Sequence, residues 1–282
     1  MPELHPFISG KWQANIQPPA PGPEWFTRKL SFGYLPNKQP KSIFLGTFPT
    51  YEVVNLVRQS GNNEFFYGSR ENRFWQLLEF ITSMPIGTEH QMFQILHSAN
   101  FGVTDILKEI DRNGHSSADN DLTPRVFNNV IDLKNNFSSL TNIYTTSGGK
   151  GSITNGTPVS AAKWLLDSLL ATGHTVTGFN VIGYQKQISV SQNGNLIWKF
   201  NLINLWSPSD SGNTPIQGFI NRNLAFSILL ASLQVPFNNL SLTMKARLVQ
   251  WGFLLRLNGF PVTPQLNSVL TANNALLTGL FV

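Results

Sequence analysis

Segments of strand type that break into Gly, Pro or Ser loops, followed by stretches of helical period, set the strongest limit on how this chain can fold. "KSIFLGTFPTYE" at 41–52 has a buried-strand core in Ile43, Phe44 and Leu45, and ends at Gly46 and Pro49. "LTNIYTTSGG" at 140–149 and "FNLINLWSPSDSGN" at 200–213 repeat the pattern. Between them, Phe74, Leu77, Leu78 and Ile81 fall at helical spacing, and "AAKWLLDSLLATG" at 161–173 is a helix with a glycine stop. Val103, Ile106, Leu107 and Ile110 in "FGVTDILKEIDRNG" at 101–114 also predict a helix ended by Asn113-Gly114, with Asp105 near its start. Asn193-Gly194 predicts a hairpin over 187–200. Helices are expected around "NRNLAFSILLASL" and "MKARLVQWGFLLRL". Alternating strands and helices argue for an α/β fold with a mainly parallel sheet covered by helices. Open sheets of that kind bind ligands at the carboxyl ends of their strands.

Apolar residues make up 41% of the 282, enough for a full core, while charged residues are only 12%. A net charge of +5 fits an anionic partner such as nucleic acid, or equally a basic surface with none. The absence of cysteine excludes disulfides, thiolate metal sites and a cysteine nucleophile. The five histidines are scattered, without metal-binding spacing, and no metal is expected. "MPELHPFISGKW" has neither a basic start nor a long apolar run, and "LAFSILLA" is too short to span a bilayer. These features predict a cytoplasmic monomer. Residues 1–40 are proline-rich and read as an extended arm, with Phe7, Trp12, Trp25 and Phe26 as anchors.

"FFYGSRENRFWQLLEFI" at 65–81 concentrates chemistry. Ser69 is the expected helix N-cap, with Glu71 in the first turn and Asn72 beside the orphan N–H groups. Asn72 therefore either bonds the helix start or offers its amide to a ligand. Phe48, Phe66 and Tyr67 are either core or a stacking wall, whereas Phe74 and Trp75 read as core. Neither a phosphate-binding Gly loop nor a serine-hydrolase elbow is present, and "SGGKGS" at 147–152 lacks phosphate-loop spacing. Asp105 and Asp119 are the candidate acid/base groups. An aromatic wall with one amide suits a planar heterocycle, and Arg70, Arg73 and a Ser-rich loop suit phosphates. That is the outline of a pocket for a flipped nucleobase.

"IFLGTFPT", "FFYGSRENRFWQLL", "FGVTDILKEIDRNGHSSADNDL", "LTNIYTTS" and "LINLWSPSDSGN", in that order, resemble the uracil-DNA glycosylase superfamily, in its mismatch-specific and hypoxanthine-DNA glycosylase-like branch. The resemblance spans roughly 41–225, and "YGSRENRFW" is its most specific part. It implies a three-layer α/β/α sandwich around a four-stranded, mainly parallel sheet. The arm at 1–40 and a helical extension at 226–282, packed on the same domain, lie outside it. It implies hydrolysis of the N-glycosidic bond of uracil, hypoxanthine or xanthine in DNA, without a cofactor. By position, Asn72 would be catalytic. Gly46, Thr47, Phe48, Pro49 and Tyr67 would hold the base. Arg70, Arg73, Ser207, Ser209, Ser211 and Asn213 would meet the DNA. Trp206 stands where the family has proline, Asp210 where Pro or Gly is common, and Thr47 and Phe48 where some branches carry Asn or Asp. These departures keep two alternatives open: an inactive relative that binds DNA or nucleotide, and a nucleoside hydrolase.

Overall fold

The computed structural model describes residues 2–12, 25–27, 30–36, 39–55, 65–69, 71–115, 118–147, 149–154 and 157–282. The expected proline-rich stretch at 17–24 and Arg70 lie outside them, as does the side chain of Trp25. The first part of the chain runs β1 (Glu3–Leu4), β2 (Trp25–Thr27), β3 (Phe32–Tyr34), β4 (Ser42–Gly46), α1 (Tyr51–Val54), α2 (Phe74–Thr82), α3 (Glu89–Ala99), β5 (Phe101–Asp105), β6 (Leu107–Arg112) and β7 (Leu122–Phe127). There follow α4 (Val130–Asn136), β8 (Asn142–Thr145), α5 (Ala161–Ala171), β9 (Thr175–Thr177), β10 (Gln185–Gln192) and β11 (Asn195–Asn204). The rest is helical: α6 (Asn213–Arg222), α7 (Leu224–Ala231), α8 (Leu242–Arg256), α9 (Pro264–Ala272) and α10 (Asn274–Phe281).

The main sheet is eight-stranded and mixed, in the order β2-β3-β5-β4-β8-β11-β10-β9, not the four-stranded sheet expected. Its four central strands, β5, β4, β8 and β11, do run parallel. Antiparallel strands from the N-terminal segment widen it on one side, and the β9–β10 region widens it on the other. A second sheet joins β1, β6 and β7. The Asn193-Gly194 turn joins β10 to β11 with positive φ at both residues, 51° and 79°, the geometry that two-residue hairpins require.

The helix expected over 101–114 is instead two strands. Phe101–Asp105 is a central strand buried along its whole length, and Ile106 continues that burial into β6. A strand covered on both faces reads as an unbroken apolar run, which matches helical spacing as well as its own. Asp105 is thus the last residue of a parallel strand.

Side chains alternate across the sheet into two cores. Phe44, Tyr144 and Ile203 enter one with α2, α3 and α6–α10. Ile43, Leu45, Ile143 and Leu202 enter the other, with Trp164, Leu165 and Leu169 of α5 and Val130, Ile131 and Leu133 of α4. The first core also takes in Phe7 and Trp12. Helix α8 is buried from Met244 to Leu255 and is the axis of this core. Trp251 on α8 is fully buried, packs near Phe44 and Phe74, and donates its indole N–H to Trp206 O at 3.0 Å. Truncating Trp251 to Ala removes both contacts and should cost about 3–5 kcal/mol. The check is a lower denaturant midpoint at unchanged slope.

Candidate active site

A cleft of about 990 Å³ opens where the central parallel strands end. Its wall includes Thr47, Phe48 and Pro49 after β4, Asp105 at the end of β5 and Thr146 after β8. Tyr67 and Asn72, Asp119, and the 207–212 loop after β11 also line it. Strand-end loops thus converge as the alternation of the sequence predicts.

The first loop is continuous with the sheet. Ile106 N donates to Gly46 O at 3.0 Å and Leu107 N to Thr47 O at 3.1 Å. Gly46 and Asp105 are register partners on adjacent parallel strands. Any Cβ at Gly46 would collide with Asp105 Oδ1 and stand 2.8 Å from the Tyr67 hydroxyl. Gly46 itself is not on the cleft wall; it makes room for two groups that are. Tyr67 has a φ of 57°, stacks on Phe74 with centroids 4.0 Å apart, and accepts a hydrogen bond from Thr146 Oγ1 at 3.1 Å. Burial first, then the charge of Asp105, pushes its phenol well above the ordinary tyrosine range. The ring therefore stays protonated.

Two carboxylates meet here. Asp105 is 4% exposed and its Oδ2 lies 2.9 Å from His5 Nε2. Asp119, in a short 3-10 turn at Asp119–Asp121, accepts from Thr47 Oγ1 at 2.8 Å. Burial pushes Asp119 up to about 6, against the lowering effect of the Thr47 hydrogen bond and with a smaller push from Asp105.

The helix start differs from expectation. Helix α2 begins at Phe74 with Arg73 at its N-cap, and Ser69 forms a turn before it instead, its Oγ accepting from Glu71 N at 3.4 Å and its carbonyl from Asn72 N at 2.9 Å. Asn72 stands just outside, its Oδ1 accepting from Phe74 N at 2.9 Å. With one lone pair of Oδ1 already engaged, the amide still has its Nδ2 donor to offer. Asn72 also bridges to Ser209, and Arg73 N donates to Pro208 O at 3.0 Å, so the helix start and the serine loop are strapped together.

The serine loop is a chain of hydroxyls, with Ser207 and Ser209 oxygens 2.8 Å apart and Ser209 and Ser211 oxygens 2.6 Å apart. Arg247 on α8 holds it from behind. This buried guanidinium donates to Ser207 O and Ser209 O, each at 2.7 Å, and to Asn213 Oδ1 at 2.8 Å. Trp206 N is held by Gln250 Oε1 at 2.8 Å. Trp206 itself is packed into the core, its indole N–H bonded to the Tyr184 hydroxyl at 3.1 Å.

Of the residues singled out in the sequence, Thr47, Phe48, Pro49, Tyr67, Asn72, Ser207, Ser209 and Ser211 line the cleft. Arg73 and Asn213 are not among the lining residues, and Phe66 is in the core. Phe48 is only 8% exposed; its ring packs edge-on against His5 and beneath Arg112. His5 and Arg247 were not foreseen: their partners lie 100 residues away for His5 and 34 to 40 for Arg247. The described wall carries five carboxylates, Glu52, Glu71, Asp105, Asp119 and Asp210, and neither Lys nor Arg. Among the described residues no cluster of His, Asp and Glu could hold a metal ion, and no helix is long and apolar enough to cross a membrane.

Asp119 sets two predictions. Its folded-state value of about 6 lies above the ordinary 3.8, so its ionisation opposes folding at neutral pH, and the penalty fades as pH falls from about 6 towards 3.8. Asp119→Asn, which keeps an acceptor for Thr47, should therefore be more stable than wild type at neutral pH, with the difference vanishing in acid. Chemical denaturation across pH reads this. Thr47→Val removes the donor and should raise the Asp119 pKa further, seen by NMR titration of its carboxyl carbon.

No family model matches this chain, and no curated protein matches it. Among solved structures, an NMR structure from Methanosarcina acetivorans described as a "putative Uracil DNA glycosylase" aligns at 21% identity. The alignment covers 39% of this chain and 63% of that one, with a TM-score of 0.31.

Proposed function

We propose that this chain is a DNA N-glycosylase, hydrolysing the bond between the sugar and a flipped deaminated base: uracil, hypoxanthine or xanthine. The observation that supports this reading best is the meeting of Asn72, Asp105 and Asp119 beside Tyr67 in one strand-end cleft. Its volume of about 990 Å³ is ample for a nucleoside. Cleavage leaves an oxocarbenium-like sugar and a base that departs with the bonding electron pair. Nearby carboxylates stabilise the sugar cation, and a donor aimed at the departing base stabilises its developing negative charge. Asn72 Nδ2 supplies that donor without ionising. Asp119, partly protonated near its pKa of about 6, suits proton delivery to the base. Arg70 and Arg73, with the Ser209 and Ser211 hydroxyls, would meet phosphate. In this reading residues 41–225 carry the cleft wall, and the segments before and after brace it.

The acidity of the described wall favours a second reading, a hydrolase for free nucleosides, because its carboxylates repel phosphate. One experiment separates the two. Labelled oligonucleotides carrying a single uracil, hypoxanthine or xanthine, single-stranded and paired, are incubated with protein and then alkali. Wild type should leave alkali-labile abasic sites. Asn72→Ala should lower kcat by roughly 10²- to 10³-fold, the usual effect of losing one oriented donor. Equal cleavage by both would take Asn72 out of the chemistry. No cleavage, with salt-insensitive hydrolysis of inosine or uridine, would establish the second reading.

A further inference from the structure

Resting on the N-glycosidic hydrolysis reading above, we infer that Asp105 is the carboxylate that activates water, and that His5, brought from the N-terminal segment, is its positioning residue. His5 is fully buried, with ring centroids of Trp12, Phe32, Phe48 and Phe66 at 5.1, 4.6, 5.3 and 5.5 Å. Enclosed on these sides, the ring cannot turn. Its Nδ1 accepts from Phe7 N at 3.1 Å, which places the proton on Nε2, facing Asp105 Oδ2 at 2.9 Å. Burial, outweighing the pull of Asp105, lowers the His5 pKa and keeps the imidazole neutral. A neutral donor fixes the carboxylate without cancelling its charge and leaves the second oxygen to face the cleft.

The rest of the surroundings fit that role. Asn128 Nδ2 donates to Asp105 O at 3.0 Å, which fixes the backbone. Among the described residues, Asp105 Oδ1 accepts no hydrogen bond; it lies over Gly46 at the cleft. The N-terminal segment also reaches the loop after β4. Glu3 forms a two-pronged pair with Arg112 at 3.1 Å, and Arg112 donates to Pro49 O at 2.8 Å and lies over the Phe48 ring. The two carboxylates then have separate tasks. Asp105 Oδ1 takes a proton from water as the water oxygen bonds to C1′. The C1′–N bond breaks, its electron pair leaves with the base, and the base takes a proton from Asp119. The products are the free base and a sugar hydroxyl, and exchange with solvent moves one proton from Asp105 back to Asp119.

The test uses the full chain and the lesion oligonucleotides above, with wild type, His5→Phe, His5→Gln and Asp105→Asn compared for kcat and KM. His5→Phe keeps the packing and loses the donor; His5→Gln restores an N–H near the Nε2 position. Loss of a hydrogen bond to a charged group should lower kcat roughly 10- to 100-fold in His5→Phe with KM little changed. His5→Gln should regain most of it, and Asp105→Asn should fall further. Full kcat in folded His5→Phe, or in Asp105→Asn, would overturn the inference while leaving the glycosylase reading intact. Should His5→Phe fail to fold by near-ultraviolet circular dichroism, His5→Gln and Asp105→Asn decide alone. Wild type inactive on every oligonucleotide would overturn the glycosylase reading, and the catalytic role inferred here with it.

Discussion

A carboxylate nearly sealed from water is expensive unless something nearby repays its lost hydration, and Asp105 is 4% exposed. Much of the molecule around the cleft can be understood as the answer to that cost. Strand β5 must be parallel to β4 and in register for Asp105 to fall opposite a glycine. Residue 46 must lack a side chain for the carboxylate to lie across the neighbouring strand. Thr104 and Asn128 tie the strand end to Phe32, and an imidazole must come from outside the central sheet to complete the shell. Remove any one and the charge is misplaced or unpaired.

The same logic governs the opposite rim. The serine loop carries three hydroxyls and little apolar anchorage of its own. Its shape is imposed by a buried guanidinium whose positive charge is met by oxygen dipoles, with Asp210 contributing at longer range. Arginine suits this place because its planar fork reaches several acceptors at once, which a lysine could not do. Helix α8 supplies Arg247, Gln250 and Trp251 from a single face and so fixes both ends of the segment from Trp206 to Asn213.

Local features of the chain were legible in the sequence. The strand at 42–46, the helices at 74–82 and 161–171 and the 193–194 turn depend on nearest neighbours and standard periodicities. So was the convergence of Thr47, Tyr67, Asn72 and the serine loop, since each either follows a strand end or precedes a helix start. What failed was the assignment of 101–114, where burial on both faces erases the alternation that distinguishes strand from helix. The outer strands of the large sheet were also missed, because two of them come from a segment whose prolines mask three-residue strands. His5 and Arg247 were illegible for a different reason. A lone histidine near proline and a lone arginine in an apolar helix carry no motif, and their meaning lies in partners far along the chain.

The spacing of those partners has a consequence for how the protein comes into being. A chain emerges from its point of synthesis amino end first, and its early elements can begin to pair before the later ones exist. Here His5 must wait for Asp105, and the serine loop at 207–212 must wait for Arg247. The cleft therefore lacks a braced rim until helix α8 has emerged and docked. Any nascent or prematurely ended chain that stops short of it carries all the cleft-lining residues but not the scaffold that holds them to one another.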